Sequence, residues 1–231
     1  MRAVDPTALP FGSASRCARA ALVFVLAATA VAQAEPHDEL TFGSQARALR
    51  SASADALTDQ GYFGGQLGFG RQLALPVLPN VEAWATAGFA WGGADGEMFG
   101  NLTTQISSVA FTVGGHARYA PYQHTAVTVG LDLGPQHAAL TLTDQNARTA
   151  SDGGWGLLAK ASVALDLLAV DNPGFAFGLR AELGYVMTTG IALSPKSPHD
   201  DSALSLMTTS ASIGHLDLGG PTFGISAITR F

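Results

Sequence analysis

The chain has 231 residues, enough for one sizeable domain, and only 13% of them are charged, against roughly 25% in an ordinary soluble domain. Its formal net charge of -6 excludes the basic surface that a nucleic-acid-binding protein needs, so we expect no nucleic-acid partner. Beyond the N-terminal segment no window holds the ~20 apolar residues of a membrane-spanning helix. The low charge therefore indicates either an unusually apolar soluble protein or a membrane barrel whose apolar residues alternate along strands.

Residues 1–34 have the composition of a cleaved signal peptide. Three arginines precede an uncharged, mostly apolar run at residues 20–32, and the tripeptide Ala-Gln-Ala that ends at Ala34 fits a cleavage site. The run is too short to span a membrane comfortably. We expect cleavage after Ala34, leaving residues 35–231 as one mature barrel domain. The only cysteine, Cys17, would be lost with the signal, so the exported domain would hold neither a disulfide nor a thiol.

Eight segments of the mature chain carry apolar residues at every second position, which is the period of a β-strand. In the seventh segment, Phe175, Phe177 and Leu179 lie on one face. Gly178 and Arg180 lie on the other. The eight segments are residues 40–49, 61–73, 81–91, 109–119, 127–134, 155–167, 175–187 and 221–231.

The connections between these segments alternate between long and short. Long polar segments follow the odd-numbered strands, at residues 50–60, 92–105, 135–154 and 189–220. Short turns follow the second, fourth and sixth strands, at residues 76–80, 121–124 and 171–174. Transmembrane barrels have this pattern, with long outer loops and short periplasmic turns. Gly134-Pro135 is expected to break the phase of the fifth strand, and residues 137–143 to continue it above the membrane.

The less apolar face of the strands predicts which side of the barrel points inward. That face is mostly Gly, Ser, Thr and Ala, which suits the crowded interior of a narrow eight-stranded barrel. A lipocalin-like soluble barrel would instead carry many solvated charges on this face. The few charges on it are of both signs, and buried charges must pair, so they predict an ion-pair network that fills the lumen. Its members are Glu82, Arg118, Asp132, Lys160, Asp166, Arg180, Glu182 and Arg230.

Aromatic residues on the apolar face fall near the two ends of the predicted strands. Two such belts are typical of the aromatic girdles of a membrane barrel. The belt near the long loops is Phe63, Trp91, Trp155 and Tyr185, and the belt near the short turns is Phe42, Tyr119, Phe175 and Phe231. Trp84 is the exception, because its position predicts that it points inward and plugs the lower lumen.

The last strand ends the chain on Phe231, and this ending resembles the C-terminal assembly signal of Gram-negative outer-membrane barrels. With the alternation and the girdles, residues from about 40 to 231 resemble the small eight-stranded outer-membrane proteins of the OmpA transmembrane, OmpX and OmpW types. The resemblance implies an all-β fold, an eight-stranded antiparallel up-and-down transmembrane β-barrel in the bacterial outer membrane. It also implies outer-membrane lipids, lipopolysaccharide and the barrel-assembly machinery as partners.

Some outer-membrane lipid-modifying enzymes are similar barrels with His, Ser and an acidic residue at the outer rim. The rim candidates in this sequence are His137, Ser151, Asp152, His215 and Asp217. Nothing in their spacing sets a nucleophile beside a base, so we expect no enzymatic activity and no cofactor. His116 is expected to fill the lumen. The acidic stretch at residues 198–201 is interpreted as a solvated loop, and no metal site is predicted.

Two non-enzymatic functions remain open. The first is a structural or surface-interaction protein whose filled barrel presents four outer loops. The second is a passage or binding protein for small apolar molecules, as the OmpW type suggests. Apolar residues of the fourth loop could line such a passage: Leu204, Leu206, Met207, Ile213, Leu216 and Leu218. A wide aqueous pore is disfavoured, because eight strands cannot enclose one.

Overall fold

A computed structural model describes residues 38–58, 61–78, 80–98, 102–122, 124–145, 149–172, 174–194 and 214–231. The predicted signal peptide and residues 198–201 lie outside them. The elements are β1 (Asp38–Arg47), α1 (Ala52–Leu57), β2 (Tyr62–Leu78), β3 (Val81–Met98), β4 (Leu102–Tyr122), β5 (Thr125–Asp144), β6 (Thr149–Asn172), β7 (Phe175–Thr188), β8 (Ile191–Leu193), β9 (Gly214–Leu216) and β10 (Gly220–Arg230). Among the described residues, no helix has both the length and the apolar character to cross a membrane.

Eight of the strands form a closed antiparallel ring. Strands β1 to β7 pair in chain order, and β10 pairs with both β7 and β1. The tight turns on the short-connection side use left-handed backbone where they need it, at Asn80 (φ 64) and Gly174 (φ 83). The predicted eight-stranded antiparallel up-and-down barrel is confirmed.

Side chains alternate between the outside of the ring and its lumen. On β7, Leu179 and Leu183 are 56% and 64% exposed, whereas Ala176 and Arg180 are buried. The same alternation leaves most large apolar side chains of the barrel facing outward. Water would wet so large an apolar belt only at a high cost in free energy, so the outer face is a surface for lipid.

Strands β3 to β6 are longer than the sequence indicates. Strands β4 and β6 have 21 and 24 residues, whereas β1 and β10 have 10 and 11. The predicted continuation of the fifth strand through residues 137–143 is confirmed. The interpretation of residues 92–105 and 144–154 as loops is wrong for most of both segments. They continue as paired strands whose outward side chains are polar. A strand with a polar outer face resembles a loop in sequence. Here the outer face is polar because this part of the strands lies beyond the membrane.

The outer face changes from apolar to polar along one hydrogen-bonded row. Trp91 lies opposite Val109, Val109 opposite His137, and His137 opposite Trp155. On the turn side of this row the outward residues are apolar. On the loop side they are mostly small or polar: Gly93, Asp95 and Glu97 on β3, Ser107, Gln105 and Thr103 on β4, Ala139, Thr141 and Thr143 on β5, and Gly153, Ser151 and Thr149 on β6. The row marks the upper edge of the lipid-facing belt.

The predicted phase break at Gly134-Pro135 is wrong. Thr128 and Gln136, on either side of it, are both buried in the lumen, so the alternation continues. The register with β4 is also unchanged, since Ala110 lies opposite Gln136 and Val113 opposite Leu133. The composition of the two faces changes instead. Above the membrane the apolar residues of β5 lie on the inner face.

Two of the predicted outer loops contain regular structure. The first holds α1, whose N-terminus is capped by the Ser51 hydroxyl accepting from the Ala54 amide at 3.0 Å. The fourth holds the β8–β9 hairpin, in which Ile191 lies opposite Leu216. Both pack inside the extended wall of β4 to β6. The buried apolar residues of this cap are Ala54, Leu57, Ile106, Ala138, Leu140, Ile191, Leu193, Leu216 and Leu218.

Candidate functional site

The candidate site is the lumen of the barrel. Charged side chains fill its lower part, on the side of the short turns. Asp166 on β6 is fully buried and lies at the centre of this lower cluster. Its carboxylate accepts from Arg180 Nε at 2.7 Å and from Arg230 Nη2 at 2.8 Å, and Arg118 Nε lies 3.6 Å away. Three guanidinium groups around one carboxylate require further acids nearby.

Glu39 and Glu82 supply those acids. Glu39 bridges Arg180 and Arg230, at 2.8 Å from each, and Glu82 accepts from Arg118 at 2.8 Å. Sequence reasoning missed Glu39, because it started the first strand at residue 40 and assigned the preceding acids to a solvated lead. Extending the alternation of β1 by one residue places Glu39 on the lumen face, directly opposite Arg230.

Higher in the lumen the remaining predicted charges form two further contacts. Lys160 Nζ lies 2.5 Å from Glu182 Oε1. His116 Nε2 lies 3.2 Å from the Asp132 carboxylate, which also accepts from the Thr86 hydroxyl at 3.0 Å. The structure thus places all eight predicted network residues in the lumen, each in contact with an opposite charge or with a histidine.

Strand register explains two of these contacts. Glu82 lies directly opposite Arg118, and Asp166 lies opposite Arg180. Side chains that are directly opposite on one face of an antiparallel pair lie within ~5.5 Å at Cβ, so opposite charges there stabilise the pairing.

Trp84 fills the lower lumen beside this cluster. It is 5% exposed, its indole Nε1 donates to Glu82 at 3.1 Å, and the Arg230 guanidinium lies 6.0 Å from its ring centroid. Aromatic and charged side chains together therefore fill the lumen on the short-turn side.

A cavity of about 90 Å³ lies between this lower cluster and the apolar cap. Its wall combines apolar surface with carboxylates, cations, amides and hydroxyls. The polar side chains of the wall are Glu39, Thr41, Gln45, Arg47, Gln66, Thr86, Thr112, His116, Asp132, Lys160, Arg180, Glu182 and Ser226. Ala110, Leu158 and Val186 contribute a small buried apolar patch.

Arg47 connects the barrel wall to the cap. It is 4% exposed, its Nη1 donates to the Leu218 carbonyl at 2.9 Å, and its guanidinium lies 4.9 Å from the Tyr62 ring centroid. The Tyr62 hydroxyl in turn shares a hydrogen bond of 2.8 Å with Ser108. Sequence reasoning missed Arg47 as well, although it lies on the lumen phase of β1.

The cap covers the upper lumen. Ser51 donates to the Asp217 carbonyl at 2.8 Å, and Thr104 donates to the Leu57 carbonyl, so α1 is tied both to the returning chain and to β4. Ile191 of the hairpin packs against β6 at Gly154. A Cβ atom at this position would lie only 2.7 Å from Ile191 Cγ2. The close approach of the hairpin thus depends on a glycine in the wall.

The predicted aromatic girdle residues all lie on the outward phase of their strands. The strongly exposed members are Phe63, Trp155, Tyr185, Phe42, Tyr119 and Phe175, at 41% to 65%. Trp91 and Phe231 are half-buried. Trp91 packs on Phe89, with ring centroids 5.5 Å apart, and covers Gly65 on the next strand.

The rim residues considered for catalysis have separate surroundings. His137 packs edge-on against Trp155, with centroids 5.0 Å apart, on the outer face. Asp152 accepts from the Ser194 amide, and Asp217 accepts from Thr188 and from the Gly219 amide, so both bind the chain segments next to the hairpin. Within the described part of the chain, no group of three His, Cys, Asp or Glu side chains could hold a metal ion.

Comparison with solved structures identifies the fold. Ail, the attachment invasion locus protein of Yersinia pestis, superposes with a TM-score of 0.50 at 14% identity, over 85% of this chain and 99% of Ail. Ail in complex with the heparin analogue sucrose octasulfate gives a TM-score of 0.51 over the same shares at the same identity. A major outer membrane protein from Thermus thermophilus gives 0.54 at 14% identity, over 84% and 99%.

No protein-family model matches the chain, and no curated protein matches it in sequence. At 14% identity the likeness to Ail and to the Thermus protein is one of fold. The sequence-based recognition of a small outer-membrane barrel is confirmed, and the exposed apolar belt suits such a barrel to the bacterial outer membrane. The chain therefore has the fold of the small eight-stranded outer-membrane β-barrel proteins.

Proposed function

We propose that the protein is a closed outer-membrane barrel that presents a rigid surface outside the cell. The observation that carries this proposal is the combination of a filled, capped lumen with a wall of strands that rises above the lipid belt. A strand needs ~9–11 residues to cross a bilayer, so the 21 residues of β4 leave roughly ten beyond it, about 30 Å along the strand.

The wall is stiffened from inside by the cap. Ile106, Ala138 and Leu140 of the wall are at most 1% exposed and pack with the apolar side chains of α1 and the hairpin. The outward residues, such as Gln105 and Ser107, are left for solvent or for a partner. Outer-membrane lipids and lipopolysaccharide would surround the belt below, with the girdle residues at its two edges.

The predicted alternative, a passage for small apolar molecules, has less support. Leu216 and Leu218 are buried in the cap, at 2% and 1% exposure, rather than lining an open pocket. Charged residues line the cavity beneath them, among them Glu39, Lys160 and Arg180. Leu204, Leu206, Met207 and Ile213 lie outside the described residues. Within the described part of the chain, no contact favours lipid-modifying catalysis.

Surface labelling tests the presentation of the wall. Because the only cysteine lies in the predicted signal peptide, a cysteine introduced at Gln105 would be unique in the mature chain. We expect a membrane-impermeant maleimide to label Gln105→Cys on intact cells. The matched control is Ala169→Cys, which is also exposed but lies near the short-turn end and should be labelled only after lysis. Labelling of both or only of Ala169→Cys on intact cells would contradict the proposed orientation.

Planar-bilayer recordings test closure. The wild-type barrel is expected to give no steady ion conductance, and vesicles containing it should take up apolar solutes no faster than empty vesicles. Steady conductance or accelerated apolar uptake would favour a passage over a closed barrel.

A further inference from the structure

We propose that the lumen cavity is a binding site for one small monovalent anion, held by Arg47. This inference concerns the interior of the barrel and goes beyond the proposed surface role. It rests on the charge, the burial and the unpartnered donors of the β1–β10 side of the cavity.

Arg47 differs from the other arginines of the lumen. Arg118, Arg180 and Arg230 each lie within 2.8 Å of a carboxylate. Arg47 is as deeply buried as they are, but its described contacts are the Leu218 carbonyl and the Tyr62 ring, and no carboxylate of the described residues is in ionic contact with it. An uncompensated cation in the lumen is unfavourable, so this position favours an added negative charge.

Further unpartnered polar atoms lie along the same pair of strands, β1 and β10. Arg47 Nε, Gln45 Nε2, Ser226 Oγ and Thr222 Oγ1 are all buried and have no hydrogen-bond partner in the described part of the protein. Gln45 lies two residues before Arg47 on the same face of β1, and Thr222 lies directly opposite Arg47, whereas Ser226 lies farther along β10, opposite Gly43. Gln45, Arg47 and Ser226 line the cavity. The nitrogens can only donate, and a donor beside a guanidinium favours an anion.

The cavity limits the size and charge of the anion. A volume of about 90 Å³ corresponds to on the order of six to nine water molecules, which is too little for a lipid and leaves ample room for a small anion. Lys160 and Arg180 on the same wall are already paired with Glu182 and with Glu39. Asp132, the third carboxylate of the lining, contacts His116 and Thr86. Arg47 is therefore the lining cation without a carboxylate in contact among the described residues, and one negative charge of the size of a halide, nitrate or formate would pair with it.

Anion-dependent stability of the full-length mature barrel in detergent is the first test. Thermal unfolding would be followed in sodium bromide, nitrate, formate and sulfate at equal ionic strength. We expect the midpoint to rise saturably with the three monovalent anions but not with sulfate, and the apparent affinity to fall at least tenfold in Arg47→Met. The control is Arg71→Met, because Arg71 is 70% exposed and should leave the anion effect unchanged.

Anomalous diffraction from wild-type crystals grown in bromide provides a test that does not depend on the variant folding. In bromide, we expect an anomalous peak in the lumen beside Arg47. In crystals grown in formate, we expect no such peak and a carboxylate at the same position. Water alone on Arg47, a carboxylate of the chain itself on Arg47, or an anion effect that survives Arg47→Met would overturn the proposal.

Discussion

At the scale of single residues, a few carboxylates balance the charge of the lumen, because Asp166 and Glu39 each contact more than one cation. Asp166 contacts Arg180 and Arg230 directly and lies near Arg118. A buried ion pair contributes little net stability compared with apolar packing, but removal of one partner is costly because the other charge stays buried.

Asp166→Asn should therefore destabilise the barrel strongly. The amide cannot balance three guanidinium groups, so we expect a loss of about 3–5 kcal/mol, measured by urea unfolding in lipid vesicles. Asp38→Asn is the chemical control, because the Asp38 carboxylate lies 3.9 Å from the exposed Arg71 and its loss should cost less than about 1 kcal/mol. Adding Arg180→Gln to Asp166→Asn should cost less than the sum of the two single changes. Equal losses in the two aspartate variants would show that Asp166 is not the centre of the network.

At the scale of elements, α1 and the β8–β9 hairpin act as the core of the part of the barrel beyond the lipid-facing belt. The wall of β3 to β6 cannot bury its inner apolar face alone, since a sheet needs a second layer to pack against. The helix and the hairpin supply that layer. Ser51 joins them, because its hydroxyl accepts from Ala54 and donates to the Asp217 carbonyl.

Ser51→Ala should loosen the cap without unfolding the barrel. Loss of an N-cap costs about 0.5–2 kcal/mol, and here the link to Asp217 is lost as well. We expect the amides of Ala54 and Leu218 to exchange with solvent roughly 5- to 30-fold faster, as followed by hydrogen exchange. Ser53→Ala in the same helix removes a hydroxyl without a capping role and is the control. Unchanged exchange in Ser51→Ala would mean that apolar packing alone holds the cap.

At the scale of the whole molecule, the outer surface divides into a lipid-facing belt and a polar wall. The chain has three tryptophans, and they lie at different positions relative to this belt. Trp91 and Trp155 lie on the row where the belt ends, and Trp84 lies in the lumen. Single-tryptophan variants therefore report the membrane position of the barrel.

A barrel that keeps only Trp155, in vesicles of brominated lipid, should show fluorescence quenching. The quenching should be stronger with bromine close to the headgroup than with bromine deep in the acyl chains, because interfacial tryptophans lie at headgroup level. A barrel that keeps only Trp84 should be quenched weakly by both lipids. Stronger quenching of Trp155 by the deep bromines would move the membrane boundary toward the loops.

The sequence predicts much of the barrel because the period of two is a local property. Alternation along each strand shows which residues face lipid, and charges on the other face show what fills the lumen. Glu39 and Arg47 obey the same rule on β1. Glu39 was missed because the first strand has the weakest alternation of the eight, so its start could not be placed from apolar residues alone. Arg47 lies inside the predicted strand but was not included in the predicted ion-pair network.

The upper half of the molecule could not be predicted in the same way. Gly93, Gln105 and Ser107 lie in strands although their composition is typical of loops, because pairing with the neighbouring strand decides their conformation. Leu57, Ile191 and Leu216 meet only once α1 and the hairpin fold back into the mouth.

The sequence by itself determined the barrel, its strand count, the lipid-facing belt and the charged lumen, since each follows from side-chain alternation within single strands. Only the tertiary structure decided how far β3 to β6 extend, that the mouth is capped, and that Arg47 is buried without a described carboxylate partner. These features depend on contacts between residues far apart in the chain, such as Arg47 with Leu218, and no local pattern encodes such a contact.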